Sequence, residues 1–165
     1  MADKATSNSS ASIFLDEIKS SMGGALNYQP AAAIAASSGE GWVYGEYLVA
    51  YNGNTTFFTA ASDFMGNQGV VATGDLVMWV AIKNTSTTVT DGICISLDNG
   101  VTPAYTLVTG IFIGAGEMVI LKLGKTTTAH LIARSVTMDG TYGYASDAHA
   151  GTVPCIAAAI IKNIG

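Results

Sequence analysis

The sequence predicts an all-β protein: an antiparallel β-sandwich, jelly-roll-like, preceded by an N-terminal arm that contains a short helix. Three observations predict it. From Trp42 onward, short segments rich in Val, Ile, Tyr, Phe and Thr recur between Gly, Asn and Asp turn signals. Several of these segments alternate with period two, as half-buried strands do. No long helical period follows residue 24, which excludes α/β architectures. The arm is residues 1–41 and the sandwich residues 42–165.

Taken in order, residues 1–11 are small and polar and read as a tail without structure. In SIFLDEIKSSM, Phe14, Ile18 and Met22 recur at i, i+4 and i+8 beside Leu15, which predicts an amphipathic helix over about residues 12–22. Ser12 suits its N-cap and Gly23-Gly24 its end. Three turns are too few to stand alone in water, so this helix needs a surface to dock on. The Ala- and Ser-rich stretch to Gly41 suits a connector. Then come WVYGEYLVAY, TTFFTAA, DLVMWVAIK, GICISLD, AYTLV, GEMVILKL, AHLIARSVTMD and VPCIAAAIIKN, each read as a strand. In DLVMWVAIK, the set Leu76, Met78, Val80 and Ile82 opposes Val77, Trp79, Ala81 and Lys83. In GICISLD, Ile93, Ile95 and Leu97 oppose Cys94 and Ser96. In GEMVILKL, Val119, Leu121 and Leu123 oppose Met118, Ile120 and Lys122. About eight strands in about 120 residues is the size of a jelly roll.

Charge narrows the partners. The 165 residues carry a net charge of −5 and only 12% charged side chains against 49% hydrophobic ones. Seven scattered Lys and Arg make no basic stripe for nucleic acid or for a membrane surface. The longest apolar stretch, Pro154 to Ile161, is far short of the ~20 residues of a membrane helix. The polar start MADKATSNSS resembles no secretory leader, so the Asn-x-Ser/Thr triplets at Asn8, Asn54 and Asn84 are expected to be chance matches. Cys94 and Cys155 lie far apart among apolar residues and read as buried free thiols. Apolar residues on both faces of several strands imply a surface covered by another subunit or by the arm.

The chain offers little chemistry. His130 and His149 have no Gly-x-Ser-x-Gly partner, and Asp147-Ala148-His149 supplies at most two metal ligands. Asp91 and Asp98 bracket one strand and precede Gly or Asn-Gly, where Asp forms turns. The glycines at Gly110, Gly114 and Gly116 lack the Lys-Ser/Thr of a phosphate loop and read as a turn. No enzyme, cofactor or metal is expected. Trp42, Tyr44, Tyr47 and Tyr51 would suit a core, a subunit interface or, as the rival reading, a glycan platform.

From Gly74 to Arg134 the chain resembles small structural proteins of tailed-bacteriophage particles. The matching residues are Ile82-Lys83-Asn84 before a Thr/Ser-rich turn, then Leu97-Asp98-Asn99-Gly100. They continue with Ala115-Gly116-Glu117, Val119 to Leu123, and Leu131 to Ala133. The resemblance implies a virion β-sandwich of the decoration or cement type on the outer capsid surface. Its implied partners are the major capsid protein and itself, as a homotrimer, with no nucleic acid and no membrane. A glycan-binding head-fibre or tail module, or a tail or neck ring component, is the alternative. The expected partner-binding residues are Phe14, Leu15, Ile18 and Met22 on the arm, and Trp42, Tyr44, Val77 and Trp79 on the sandwich.

Overall fold

A computed structural model describes residues 39–51, 54–59, 71–97, 110–124, 126–139 and 151–164, and the backbone of 5–14, 19–28 and 144–146. Eleven strands are described, all paired antiparallel. The first two, β1 (Ala5–Phe14) and β2 (Lys19–Tyr28), form a ribbon of their own. The remaining strands build two sheets. One has the order β3-β11-β5-β8, from β3 (Gly39–Val49), β5 (Leu76–Asn84), β8 (Met118–Lys122) and β11 (Val153–Asn163). The other has the order β10-β9-β6-β7, from β6 (Asp91–Ser96), β7 (Ile111–Ile113), β9 (Ile132–Met138) and β10 (Tyr144–Ser146). The two-residue β4 (Thr55–Thr56) also lies against β9.

The pairing is nested. β3 pairs β11, β4 pairs β9, β5 pairs β8 and β6 pairs β7, as in one long hairpin wrapped on itself. The cross-pairs β11–β5 and β9–β6 then join the halves into sheets. One apolar core lies between the sheets. Val43, Val49, Val80, Ile82, Ala157 and Ile161 line it from the first sheet, and Ile93, Ile95, Ile113, Leu131 and Ala133 from the second. The alternations read for β6 and β8 hold: Ile93 and Ile95 face the core and Cys94 faces away, while Val119, Leu121 and Leu123 pack inward. Tyr47 also turns inward, edge-on to Phe57 at 4.9 Å. Its ring lies over Gly45, where a β-carbon would strike it, and its hydroxyl accepts the Phe58 N–H at 3.0 Å.

The turns follow the residues read as punctuation. Gly114 to Glu117 turns β7 into β8, with Gly116 at φ +76°, where an L side chain is strained. The Glu117 carboxylate closes it by accepting the Gly114 N–H at 2.7 Å. Between β5 and β6, the buried Asn84 donates to the carbonyls of Asp91 and Ile113, and its own amide oxygen accepts from the Ser86 N–H. Asn84 is fully enclosed, so its triplet is no glycan acceptor. Of the eight segments read as strands, AYTLV lies outside the described residues. Ala129 and His130, which open AHLIARSVTMD, belong with Thr128 to a single 3-10 turn before β9.

Three expectations change. Where a helix was read over about 12–22, Ser12, Ile13 and Phe14 belong to β1 and Lys19 to Met22 belong to β2; residues 15–18, hence Leu15 and Ile18, lie outside the described residues. Ser and Asn favour other backbone states over a helix, three turns cannot nucleate unaided, and a ribbon satisfies half its backbone groups within itself. Residues 5–11, read as structureless, are strand for the same reason. Finally, Val77 does not share a face with Trp79. A bulge at Ile160/Ile161 leaves Met78 as the extra residue, with Ile160 opposite Trp79 and Ile161 opposite Val77, so Val77 turns into the core.

Both thiols are free and buried, as read from their apolar flanks. Burial pushes Cys94 up to about 11 and Cys155 up to about 12. A thiol held above its ordinary value supports the fold fully below that value and loses the support as pH rises through the raised one. Stability is therefore expected to decline between about pH 9 and 12. In addition, neither thiol should react with iodoacetamide at pH 8 in the folded chain, while both react in denaturant. Labelling read by intact mass checks this, and fast labelling of the native chain would contradict it.

Candidate functional site

The outward face of the β3-β11-β5-β8 sheet is the candidate site. Period two along β3 sends Val43, Tyr47 and Val49 inward and therefore Trp42, Tyr44, Glu46 and Leu48 outward. Register then sets their neighbours. Trp42 stands beside Ile160, Trp79 and Lys122 across the sheet; Tyr44 beside Ala158, Ala81 and Ile120; Glu46 beside Ile156, Lys83 and Met118. In an antiparallel sheet with one face on the core, the second face is ordinarily polar. Here it is apolar across all four strands.

Its relief has two parts. At one end, Trp79 and Ile160 are buried on the outer side of the sheet, packed with Trp42, Ala81 and Ile120. The Trp42 and Trp79 rings meet edge to face with centroids 5.5 Å apart. Trp79 is only 6% exposed, and its indole N–H has no acceptor. At the centre, the small side chains of Ala81 and Ala158 leave an open trough of about 100 Å³ between Tyr44, Ile156, Met118 and Lys83. Its walls stay in solvent: Tyr44 is 50% exposed, Met118 56% and nearby Leu48 66%. Lys83, Lys122 and Lys162 rim this face together with two carboxylates, the exposed Glu46 and the buried Glu40, which stands opposite Lys162. The Tyr44 hydroxyl donates to the Glu46 carboxylate at 3.3 Å.

The residues singled out from the sequence divide. Trp42, Tyr44 and Trp79 come together on this face, while Val77 lies in the core between the sheets. Phe14 and Met22 belong to the ribbon, on opposite faces by its register. Tyr47, grouped with Trp42 and Tyr44 in the glycan reading, points to the other side of the sheet. Ile120, Met118, Ile156 and Ala158 complete the surface; period two in GEMVILKL and VPCIAAAIIKN carried that signal, but only strand order brings them beside Tyr44.

Elsewhere the polar groups hold turns. Ser86 donates to the Asp91 carboxylate at 2.6 Å, and His130 ends the 3-10 turn. Asp98, Asp147 and His149 lie outside the described residues. Among the described residues, no three His, Cys, Asp or Glu are grouped to hold a metal ion, and no helix is long and apolar enough to cross a membrane. Comparisons with protein-family models, with curated proteins and with solved structures find no match to this chain.

Proposed function

We infer that this chain is a structural protein of a tailed-phage virion that decorates or cements the capsid, binding the major capsid protein and copies of itself as a homotrimer on the outer surface. The observation that carries the reading is the apolar outer sheet face, with Trp42, Tyr44, Trp79, Ile120 and Met118 on it. A sheet face that carries apolar side chains on all four strands, beside a separate core, suits covering by protein. The nested strand pairing supports a jelly-roll reading of the sandwich, an architecture used by viral capsid and lectin domains. Architecture alone does not assign the task, so the weight rests on the surface. The net negative charge agrees with a place outside the particle, away from packaged genome.

The test is immunogold labelling of tailed-phage particles from the culture that encodes the chain, with antibody against the purified protein. Gold over capsids is the expected result. Gold confined to tails, necks or fibre tips would move the assignment to the alternative components, and particles without label would overturn the virion reading.

A further inference from the structure

The outermost strands of the two sheets differ in how they are guarded. β8 has five residues and ends at Lys122, β7 has three, and β10 has three with a register shift against β9. Short length, lysine and irregular register are the usual protection against pairing with another chain. β3 has none of them. It runs eleven residues without Lys, Arg or Pro, and its register with β11 is unbroken from Gly39 to Val49. The ladder shows which of its backbone groups are open. Pro154 of β11 gives its carbonyl to the Thr85 N–H, so alternate residues of β11 face β5, and those between them face Val49, Tyr47, Gly45 and Val43 of β3. Trp42, Tyr44, Glu46 and Leu48 therefore point N–H and C=O away from β11, and among the described residues these groups meet no backbone partner. The open stretch ends at Ala50, whose N–H donates to the Thr55 hydroxyl and whose carbonyl accepts the Ser135 N–H.

We propose that β3 pairs antiparallel with β3 of a second copy, about a twofold axis at Gly45, and so joins one trimer of the chain to the next. The inference rests on the homotrimer reading and goes beyond it, because a twofold contact closes at two copies and cannot itself build a trimer. Self-complementarity selects the second copy. Centred on Gly45, the pairing sets Trp42 opposite Leu48 and Tyr44 opposite Glu46, each twice. Every one of the four open residues then exchanges both backbone bonds with another of the four, and none is left over. The outward side chains agree. Trp42 meets Leu48, apolar on apolar, and the Tyr44 hydroxyl, which reaches its own Glu46 only at 3.3 Å, meets the Glu46 carboxylate of the other copy. No carboxylate of β3 stands opposite another. Gly45 meets Gly45 at the axis, in the narrow pair where two strands approach most closely. The two outer faces thereby become one continuous surface. Backbone bonds made in water contribute little each, so the contact acts between trimers, which present several such edges at once, and single chains do not hold it.

The experiment follows light scattering of the full chain across a dilution series, together with backbone hydrogen–deuterium exchange over residues 40–49. Glu46→Pro is compared with Glu46→Val. The Glu46 N–H faces the open edge, so proline there removes an edge donor and leaves the ladder with β11 whole, while valine removes the carboxylate and keeps the donor. Far-UV circular dichroism and a thermal midpoint establish that each variant is folded; for a Glu46→Pro chain that is not, exchange in the unaltered chain still decides. The expected result is a trimer that grows to larger species as concentration rises, in which the amides of Trp42, Tyr44, Glu46 and Leu48 exchange at least about tenfold more slowly. Glu46→Val behaves alike, and Glu46→Pro stops at the trimer, with association between trimers weakened at least about a hundredfold. A wild-type chain that stops at the trimer at every concentration would overturn the edge pairing and leave the trimer. A chain that is monomeric throughout would overturn the homotrimer reading and this proposal with it. Larger species whose four amides exchange as fast as in the trimer, or that Glu46→Pro forms as readily as Glu46→Val, would overturn the proposal and place the contact on another surface.

Discussion

Asp75→Ala is expected to lower the stability of the folded chain by about 3 kcal/mol. The Asp75 side chain is fully buried. One carboxylate oxygen accepts the Ala72 N–H at 2.8 Å, and the other accepts the Ile164 N–H at 3.1 Å. Its backbone completes the junction, taking the Thr128 N–H on its carbonyl and donating to the carbonyl of Ala72. The side chain thus ties the entry to β5 to the end of β11, and the backbone of the same residue holds the turn before β9. Charge-assisted bonds to backbone donors contribute about 1.5–3 kcal/mol each, and alanine forfeits both while leaving a void. For a chain of this size the change corresponds to a melting temperature lower by roughly 6–12 °C. Asp75→Asn retains one acceptor oxygen and should fall between. A scanning-calorimetry midpoint for Asp75→Ala within a degree or two of wild type would mean that the sheet ladder holds the end of β11 unaided.

Ala158→Arg should leave the fold intact and destroy association, whereas Ala159→Arg, one residue further on, should destroy the fold. Ala158 lies on the outer face at the floor of the trough, half-buried, between Tyr44 and Ala81. An arginine there has room to extend into water in the single chain. In an assembly it would place an unpaired charge in an apolar contact, which costs several kcal/mol and weakens association by more than about a hundredfold. Ala159 is fully buried in the core between the sheets, where neither the volume nor the charge of arginine can be accommodated. Light scattering across a dilution series and a thermal melt read the two effects separately. An Ala158→Arg chain that assembles like wild type would remove this face from the interface.

Much of the architecture is legible locally. Period two and the turn residues sufficed for the all-β class, for the opposite faces of β6 and β8, and for the turn at Gly116. Apolar flanks sufficed for two buried thiols. The misreadings have physical causes. Phe14, Ile18 and Met22 match a helical stripe, yet Ile13 and Met22 also fall on one face of a ribbon, and eleven residues cannot distinguish the two patterns. Val77 breaks alternation with Trp79 because the strand beside it, β11, is out of step by one residue, and a bulge is a property of the pair. Asp75 reads as turn punctuation after Thr73-Gly74, and its bond to Ile164 spans 89 residues that no local pattern relates.

The sequence by itself determined the periods: which residues alternate, where the chain turns, and that strands carry apolar residues on both sides. Only the tertiary structure decided which side became core and which became surface. An isolated strand with two apolar faces is symmetric in energy, and the nested pairing of β3 with β11 and β5 with β8 breaks that symmetry. It closes one face on the second sheet and leaves Trp42, Tyr44 and Met118 on the other.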